Sequence, residues 1–395
     1  MQISSPVKGR HLRAVGLFSG IGGIERGLER SGHSTVLLVE NDESAQSVLQ
    51  SQFPTIPVWG DIRDLHKLPD CDLVAAGFPC QNLSQCGNTA GIEGSESSLV
   101  NDVFRLVEGM VRRPNWLVLE NVPFMLRLQG GRAMTLITSE LRRLGYRWAY
   151  RTVNARAFGV PQRRLRVVVV ASRDDDPRQV LFADEAIEQE ECRSASGFGF
   201  YWTEGNTGLG WGRDCVPTLK GGSTVGIPSP PAIWIPAERR LATIDIRDAE
   251  RLQGFPADWT KSVRNRLRWR LVGNAVCVRV AAWIGRRLGL PKECCCEIGD
   301  TIRANDWPSA AYGDDNGAVE MIASTWPVAW QQKPILDFLR FPLSPLSARA
   351  TAGFLLRAKN SRLRFDPQFI ADVEYYLNVS APTVDKRTRP RQMMS

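Results

Sequence analysis

Residues 13–172 alternate short apolar runs with amphipathic segments. This alternation is typical of a parallel sheet covered by helices on both faces. Because such doubly wound sheets bind ligands beyond the carboxyl ends of their strands, we expect the chemistry at that edge. The pattern predicts strands at 13–18, 35–40, 72–76, 116–119, 147–153 and 166–171, and helices near 23–31, 42–52, 98–112 and 132–144.

The pattern changes after residue 172. Gly, Pro, Trp and Ser become frequent between 173 and 270 and helical periodicity fades, which indicates a smaller, loop-rich domain. The strongly apolar segment 271–290 predicts a helix that returns to pack on the first domain. The expected division is a first domain at 12–172, a second at 173–270, a returning helical segment at 271–295, and an extension of unassigned role at 300–395 with a disordered polar tail at about 384–395.

Charge and hydropathy narrow the class of protein. The net charge of +8 and the arginine clusters at 163–166, 239–240 and 264–270 favour a polyanionic partner, because guanidinium groups suit phosphates and base edges. No apolar run is long enough to cross a membrane, and the polar, basic N-terminus differs from a signal peptide. We therefore expect a cytoplasmic protein.

The cysteines and histidines argue against a metal site. Nine cysteines are scattered among only three histidines with no CxxC pair, which predicts free thiols and no bound metal. The run of Cys294, Cys295 and Cys296 leaves two alternatives open. Buried thiols at the end of a helix are favoured over metal binding.

A glycine turn follows the first predicted strand. Phe18 and Ser19 lead into Gly20, Gly22 and Gly23, where the next helix begins, so backbone N–H groups can approach a ligand closely. Glu40 ends the second strand at the spacing of an acid that binds ribose hydroxyls. Asp61, followed by Ile62, could hold an adenine amino group. Together these residues favour nucleoside binding, but they do not separate NAD from an adenosyl sulfonium compound.

A cysteine and a glutamate end two neighbouring predicted strands. Cys80 follows the strand at 72–76 through Gly77, Phe78 and Pro79, and Glu120 ends the strand at 116–119. A thiolate at this edge is a strong nucleophile, although a buried structural thiol is the commoner fate of cysteine. Neighbouring strand ends bring the two groups within reach of each other.

Cytosine methylation explains why these residue types would be paired. Carbon 5 of cytosine is too electron-poor to attack a methyl sulfonium, but addition of a thiolate at C6 makes C5 nucleophilic. The charge that builds towards N3 is then stabilised by a carboxylic acid, with a cation near O2. The candidate cations are Arg164 and Arg166, in the extended segment 162–166 that opens the strand ending at Ser172, where alternation sends both side chains to one face.

These segments resemble the DNA (cytosine-5)-methyltransferase family over residues 12–290. Residues 18–23 look like its S-adenosylmethionine loop, 77–81 its nucleophile loop, 120–122 its segment that contacts cytosine N3, and 162–166 its arginine motif. Residues 247–256 resemble the motif that supports the target-recognition region, and 273–276 the closing motif that completes the cofactor pocket. Each string is weakly specific, but six in the family's order are not expected by chance.

The resemblance implies an enzyme with the seven-stranded methyltransferase variant of the Rossmann sheet in an α/β fold. It implies S-adenosyl-L-methionine as methyl donor, flipping of a target cytosine out of duplex DNA, and a covalent bond between Cys80 and C6. The catalytic domain would be 12–172 and the target-recognition domain 173–270. The implied cofactor contacts are Phe18, Gly20, Gly22, Gly23, Glu40, Asp61, Ile62, Pro79, Asn274 and Val276, and the implied DNA contacts are Ser84, Gln85, Arg163, Thr218 and Leu219.

The sequence departs from the family pattern at three places away from the reaction centre. Glu96 stands where an arginine often contacts phosphate, Asn41 where some members have an adenine-stacking aromatic, and 245–246 where Thr-Pro is usual.

Two rival functions remain open. One is an RNA methyltransferase of the same fold acting on transfer RNA, and the other is a catalytically idle DNA-binding relative. A nicotinamide dehydrogenase would leave Cys80 and Glu120 without a task. The cellular role implied by the family is modification beside a cognate restriction endonuclease, or a solitary or phage-borne methylase, and we expect a monomer.

Overall fold

The computed structural model describes residues 9–78, 98–189, 194–204, 206, 208–221, 228–303 and 306–380. In this part of the chain the helices are α1 Gly23–Arg30, α2 Glu43–Gln52, α3 Ser98–Glu108, α4 Arg132–Arg143, α5 Arg178–Leu181, α6 Ile246–Leu252, α7 Asn265–Asn274, α8 Val278–Gly289, α9 Ile335–Phe338, α10 Ala348–Lys359 and α11 Pro367–Ser380. None of these helices has the length and apolar character needed to span a bilayer.

The strands form two main sheets. Those of the large sheet are β1 Arg13–Leu17, β2 Ser34–Val39, β3 Val58–Trp59, β4 Leu73–Ala76, β5 Trp116–Asn121, β6 Arg147–Asn154, β8 Leu165–Ser172, β14 Glu297–Thr301, β15 Ala310–Asp314 and β16 Gly317–Ile322. Those of the second sheet are β9 Phe198–Phe200, β10 Gly212–Arg213, β12 Ala232–Ile235, β13 Arg240–Thr243 and β17 Ser344–Pro345. A short parallel pair joins β7 Gln162–Arg163 to β11 Val216–Pro217.

The large sheet has the order β14-β16-β15-β6-β8-β5-β4-β1-β2-β3. Seven of these strands, from β3 to β6 in that order, come from the first 172 residues, as the α/β prediction requires. The sheet is not wholly parallel, because β8 runs antiparallel to both β5 and β6. The segment 155–164 between β6 and β8 is shorter than the dozen or so residues of a parallel crossover, so β8 must reverse.

Helices cover both faces of the large sheet. Buried side chains of α3 and α4 pack on one face, while those of α1, α5 and α8 pack on the other. Helices α1 and α8 lie so close that a Cβ added at Gly27 would be 2.4 Å from the Cβ of Ala281. The doubly wound arrangement expected from the sequence is therefore confirmed.

The returning segment is two helices rather than the single helix predicted over 271–290. Helix α7 ends at Asn274 and α8 begins at Val278. The break between them exposes the carbonyl of Ala275, which accepts a 2.7 Å hydrogen bond from Nη2 of Arg164. A tertiary hydrogen bond thus replaces the helical continuation that the apolar pattern suggested.

The C-terminal extension contributes to both sheets. Strand β15 pairs antiparallel with β6 and carries β16 and β14 beyond it, so the large sheet gains three strands. Farther along, β17 pairs with β13 at the edge of the second sheet. Helices α10 and α11 supply Phe354, Phe369 and Val373 to the core that this sheet forms with Phe200 and Trp234.

Candidate active site

A cavity of about 490 Å³ opens at the carboxyl ends of β1, β2, β4 and β5. This is the edge at which the sequence predicts the chemistry. The cavity walls come from strand ends on one side and from α7 on the other. Its lining residues are Phe18, Gly20, Glu40, Asn41, Asp42, Ala45, Gly77, Phe78, Glu120, Asn121, Val122, Arg166, Arg270, Leu271, Gly273 and Asn274.

The glycine turn adopts a backbone that favours glycine. Gly20 and Gly22 have φ values of 55° and 83°, and Phe18 shares the left-handed region with φ of 54°. No atom lies within 4 Å of a Cβ added at Gly20, so the backbone there faces open space. A Cβ added at Gly23 would lie only 2.4 Å from the carbonyl oxygen of Val276. The absence of a side chain at Gly23 therefore permits contact with the segment between α7 and α8.

Glu40 lies beside the glycine turn, as predicted. Its Oε2 accepts a 2.8 Å hydrogen bond from the N–H of Gly20, and its Oε1 accepts one of 2.8 Å from the N–H of Asp42. Burial raises the pKa of this carboxyl, and the two N–H donors oppose that rise. Each oxygen still has a lone pair for a further donor, so the carboxylate can bind hydroxyl groups in the cavity.

Asp61 and Ile62 lie on the neighbouring side of Glu40. A small pocket there is lined by Phe18, Glu40, Asp61 and Ile62 together with Val39, Asn41, Gly60 and Leu99. The Asp61 carboxylate caps the short turn that follows and pairs with Arg63, whose hydrogen bonds lower the pKa of Asp61. Asp61 thus lies near the predicted position of an adenine ring, but its carboxylate is already paired with Arg63.

Glu120 and Arg166 form an ion pair at the cavity wall. Arg166 Nε lies 3.0 Å from Glu120 Oε1, and the two side chains are 15% and 11% exposed. The antiparallel register produces this approach, because Glu120 stands opposite Val168 and Asn121 opposite Val167. Burial raises the pKa of Glu120, while Arg166 and Arg164 oppose the rise. A buried acid with a raised pKa next to a cation is the combination expected for attack on cytosine.

The chain approaches the predicted nucleophile along this wall. A Cβ added at Gly77 would lie 4.0 Å from Glu120 Oε2 and 3.5 Å from Cγ2 of Val276. The carbonyl of Phe78 accepts a 3.1 Å hydrogen bond from Nδ2 of Asn121. Cys80 lies outside the described residues, as do Pro79, Ser84 and Gln85, so their predicted roles stay predictions.

Arg164 occupies a different environment from Arg166. It is buried, and its guanidinium donates to the carbonyls of Leu219 and Gly273, both at 3.2 Å, and to that of Ala275. These contacts join the residue between β7 and β8 to the segment after β11, to α7 and to the break that follows α7. They favour a role in holding the site together over direct contact with a substrate.

The predicted closing motif reaches the cavity as expected. Asn274 lines the cavity, and its Oδ1 would lie 2.5 Å from a Cβ added at Gly221. Val276 contacts both Gly23 and Gly77. Asn274 is therefore brought to the cavity, and Val276 to the glycine turn and the nucleophile segment.

The predicted DNA-contacting residues that the structure describes lie side by side. Thr218 Oγ1 donates a 2.7 Å hydrogen bond to the carbonyl of Arg163, whose side chain is exposed. Leu219 is instead buried, with its N–H bound to Oε1 of Gln162 at 3.0 Å. Thr218 and Arg163 are thus better placed to meet DNA than the side chain of Leu219.

An ion pair across the cavity was not predicted. Arg270 Nη2 lies 2.6 Å from Asp42 Oδ2, which joins α7 to the start of α2. The sequence grouped Arg270 with a phosphate-binding cluster, but Arg268 in that cluster also pairs internally, at 2.8 Å from Glu250 Oε1. The only available signal was that Asp42 precedes a helix, which indicates a cap rather than a partner for Arg270.

Comparisons with solved structures identify the class of protein. The S. pombe Dnmt2 methyltransferase superposes with a TM-score of 0.56 at 18% identity, covering 70% of this chain and 98% of that one. The Entamoeba histolytica methyltransferase EhMeth gives a TM-score of 0.50 at 16% identity, covering 71% and 98%. The chain therefore shares the fold of these methyltransferases.

Sequence comparison identifies the family. The C-5 cytosine-specific DNA methylase model matches residues 12–197 and 223–290. The type II methyltransferase M2.BsuMI of Bacillus subtilis is 48% identical over 379 residues, which cover 92% of this chain and 97% of that protein. The chain belongs to the C-5 cytosine-specific DNA methylase family, and the predicted resemblance is confirmed.

Proposed function

We propose roles for individual residues in the family's reaction, the transfer of a methyl group to C5 of cytosine in DNA. The observation that carries the proposal is the single cavity shared by Glu40, the glycine turn and the Glu120–Arg166 pair. One end of this cavity suits a nucleoside and the other a charged pyrimidine. Because the two ends are continuous, a methyl donor and a base can meet between them.

S-adenosylmethionine fits the first end of the cavity. The open backbone at Gly20 leaves room for a ligand, and Glu40 offers acceptors for both ribose hydroxyls. Its volume of about 490 Å³ lies within the usual range for small-ligand sites. Asp61, Ile62, Asn274 and Val276 would complete the walls. When bound, the cofactor supplies the electrophilic methyl group.

Cys80 would act as the nucleophile at the second end. Its thiolate adds to C6 of cytosine, Glu120 donates a hydrogen bond or proton towards N3, and Arg166 stabilises the charge near O2. The C5 carbon then takes the methyl group, a base removes the C5 proton, and the C6–S bond breaks to release the thiolate. The raised pKa of Glu120 supports its part, because a neutral acid can donate to N3.

The substrate would be a specific sequence in duplex DNA. A cytosine inside the duplex cannot reach the cavity, so it must flip out at a cost of a few kcal/mol. Arg163 and Thr218 lie beside the site and would meet the DNA, together with Ser84 and Gln85 in the segment after Cys80. We further propose that the enzyme acts as a monomer beside a cognate restriction endonuclease, in keeping with the type II methyltransferase relatives.

Covalent trapping tests the proposed chemistry. A duplex carrying 5-fluorocytosine at the target position should give a denaturation-resistant complex with the wild-type chain in the presence of S-adenosylmethionine, because fluorine blocks removal of the C5 substituent. Cys80→Ser should give none while still binding DNA. No complex with the wild-type chain on a substrate that it methylates would contradict the covalent route.

Glu120→Gln tests the acid. The amide cannot supply a proton, so we expect kcat to fall about 10²- to 10⁴-fold, the usual range for general acid catalysis. Because burial raises the pKa of Glu120, wild-type activity should decline as the pH rises through that pKa. The activity of the variant should not show this decline. An unchanged pH profile in the variant would remove Glu120 from the mechanism.

A substrate comparison separates DNA from RNA. Labelled methyl groups should pass from S-adenosylmethionine to duplex DNA and not to transfer RNA. Bisulfite sequencing of DNA from cells that express the protein would then give the recognition sequence, with Cys80→Ser as control.

A further inference from the structure

The C-terminal segment 344–380 is built into the second sheet. Its strand β17 pairs through Ser344 and Pro345 with Thr243 and Ala242 of β13. Asp372 of α11 is buried, and its carboxylate accepts hydrogen bonds of 3.1 Å from Trp234 Nε1 and 2.7 Å from Arg239 Nε. The second sheet thus depends on residues that lie beyond the family match.

The C-terminal end of α10 supports a turn of the second domain. Arg357 donates through Nε to the carbonyl of Glu204 at 3.1 Å and through Nη2 to that of Trp202 at 2.7 Å. In the same turn Tyr201 donates a 2.7 Å hydrogen bond to the carbonyl of Thr218. Two steps therefore link α10 to Thr218, the residue proposed to meet DNA.

The segment that contains α10 presents positive charge. Residues 340–364 contain six arginines and lysines and no acid, which are Arg340, Arg349, Arg357, Lys359, Arg362 and Arg364. Arg357 is bound to the turn, and Lys359 lies 2.7 Å from Glu374. Arg362 and Arg364 are exposed on either side of half-buried Leu363, and neither forms an ion pair with a carboxylate that the structure describes.

We propose that segment 344–380 completes the target-recognition domain and that Arg362 and Arg364 bind DNA phosphates beside the target site. The inference rests on the proposed DNA substrate. Exposed guanidinium groups without a carboxylate partner can pair with phosphate at little desolvation cost, and such contacts fix orientation rather than sequence. The pair follows the C-terminal end of α10, five to seven residues after Arg357, which binds the turn that is linked to Thr218.

Charge reversal tests the two arginines in the full chain. The double variant Arg362→Glu/Arg364→Glu should raise Kd for a cognate duplex at least about tenfold and lower the slope of log K against log salt by about 2. At saturating DNA its kcat should match wild type, because the cavity is untouched. Arg362→Lys/Arg364→Lys should keep the wild-type slope.

A second double variant with the same net charge is the control. Arg142→Glu/Arg286→Glu changes two exposed arginines near the ends of α4 and α8, at the edge of the sheet opposite the cavity. For this control, the slope of log K against log salt should stay close to the wild-type value. Equal weakening of the two double variants, or an unchanged slope in the first, would overturn the proposal. Failure of the proposed function would give a different result from failure of this inference, because the wild-type chain itself would then not methylate DNA.

Discussion

At the residue scale, the site contains a buried acid beneath the glycine turn. Glu25 in the first turn of α1 is 1% exposed, and burial raises its pKa to about 7, with the Glu40 charge acting in the same direction. Its carboxylate also explains Gly16 in β1, since a Cβ there would lie 2.0 Å from Glu25 Oε1. The fold therefore holds a carboxyl group that titrates near neutrality.

Glu25→Gln should make stability less dependent on pH. A carboxyl whose pKa is higher in the folded state stabilises the fold below its unfolded pKa, and this contribution is lost as the pH rises through about 7. The free energy of unfolding of the wild type should thus fall by roughly 2–3 kcal/mol more than that of the variant between pH 5 and 8.5. Urea unfolding at both pH values measures the free energy of unfolding of each protein. An equal change with pH in the wild type and the variant would contradict the prediction.

The ion pair across the cavity predicts an effect on cofactor kinetics. Asp42→Asn removes the charge that holds Arg270 but can keep the helix cap, in which Oδ1 accepts from the N–H groups of Ser44 and Ala45. Because a partly exposed pair contributes only about 0–1 kcal/mol, stability should barely change. Dissociation of S-adenosylmethionine should become faster by up to about 5-fold, because the lost contact helps to close the cavity and contributes at most about 1 kcal/mol.

Stopped-flow fluorescence measures the dissociation rate of the cofactor. Asp70→Asn is the matched control, because Asp70 pairs with Arg112 on the surface, 3.0 Å from its Nε, away from the cavity. A dissociation rate that stays at the wild-type value in Asp42→Asn would show that the ion pair does not restrain the cofactor.

The candidate site shows which residue contacts a sequence can predict. Glu120 and Arg166 were predicted because each lies at a strand end, and the strand pattern alone brings those ends together. The pairing of Asp42 with Arg270 could not be predicted, since it depends on how α7 is positioned over the cavity. Contacts set by sheet register are readable from sequence, whereas contacts set by the packing of a returning helix are not.

At the element scale, the break between α7 and α8 could not be predicted from the sequence. Residues 275–277 are apolar and contain no proline or glycine, so the pattern continues through them. The break is stabilised from outside, by Arg164 on the carbonyl of Ala275 and by the contacts of Val276 with Gly23 and Gly77. Local propensity gives no signal for a break that tertiary contacts impose.

Arg164→Met should therefore destabilise the junction of these elements. The substitution leaves the carbonyls of Leu219, Gly273 and Ala275 without their donor in a buried site. Loss of about 3 kcal/mol or more is expected, because each unsatisfied buried polar group costs about 1–3 kcal/mol. Arg163→Met, one residue away and exposed, should cost less than about 1 kcal/mol in the same urea titration. Equal losses of unfolding free energy in the two variants would show that the hydrogen bonds of Arg164 do not stabilise this junction.

At the scale of the whole molecule, the positions of six strands in the first 172 residues followed from the hydrophobic pattern, but the use of the C-terminal extension did not. Strands β14 and β16 are short and partly exposed, and the buried strand β15 has only five residues, so these strands carry little periodic signal. The partner of β15 is β6, more than 150 residues earlier, and only the unpaired edge of β6 determines where the three strands add. Long-range pairing of this kind depends on the assembled sheet rather than on the segment itself.

The net charge of +8 makes DNA affinity a property of the molecule as a whole. Phosphate contacts by arginine and lysine release counterions, so affinity for duplex DNA should fall by about tenfold or more between 50 and 200 mM salt. Fluorescence anisotropy with a non-cognate duplex isolates this term, because such DNA makes phosphate contacts alone. A cognate duplex should show a similar slope at higher affinity. A flat salt response would mean that arginines do not dominate the interface, and the assignment of DNA contacts to the arginine clusters would have to be abandoned.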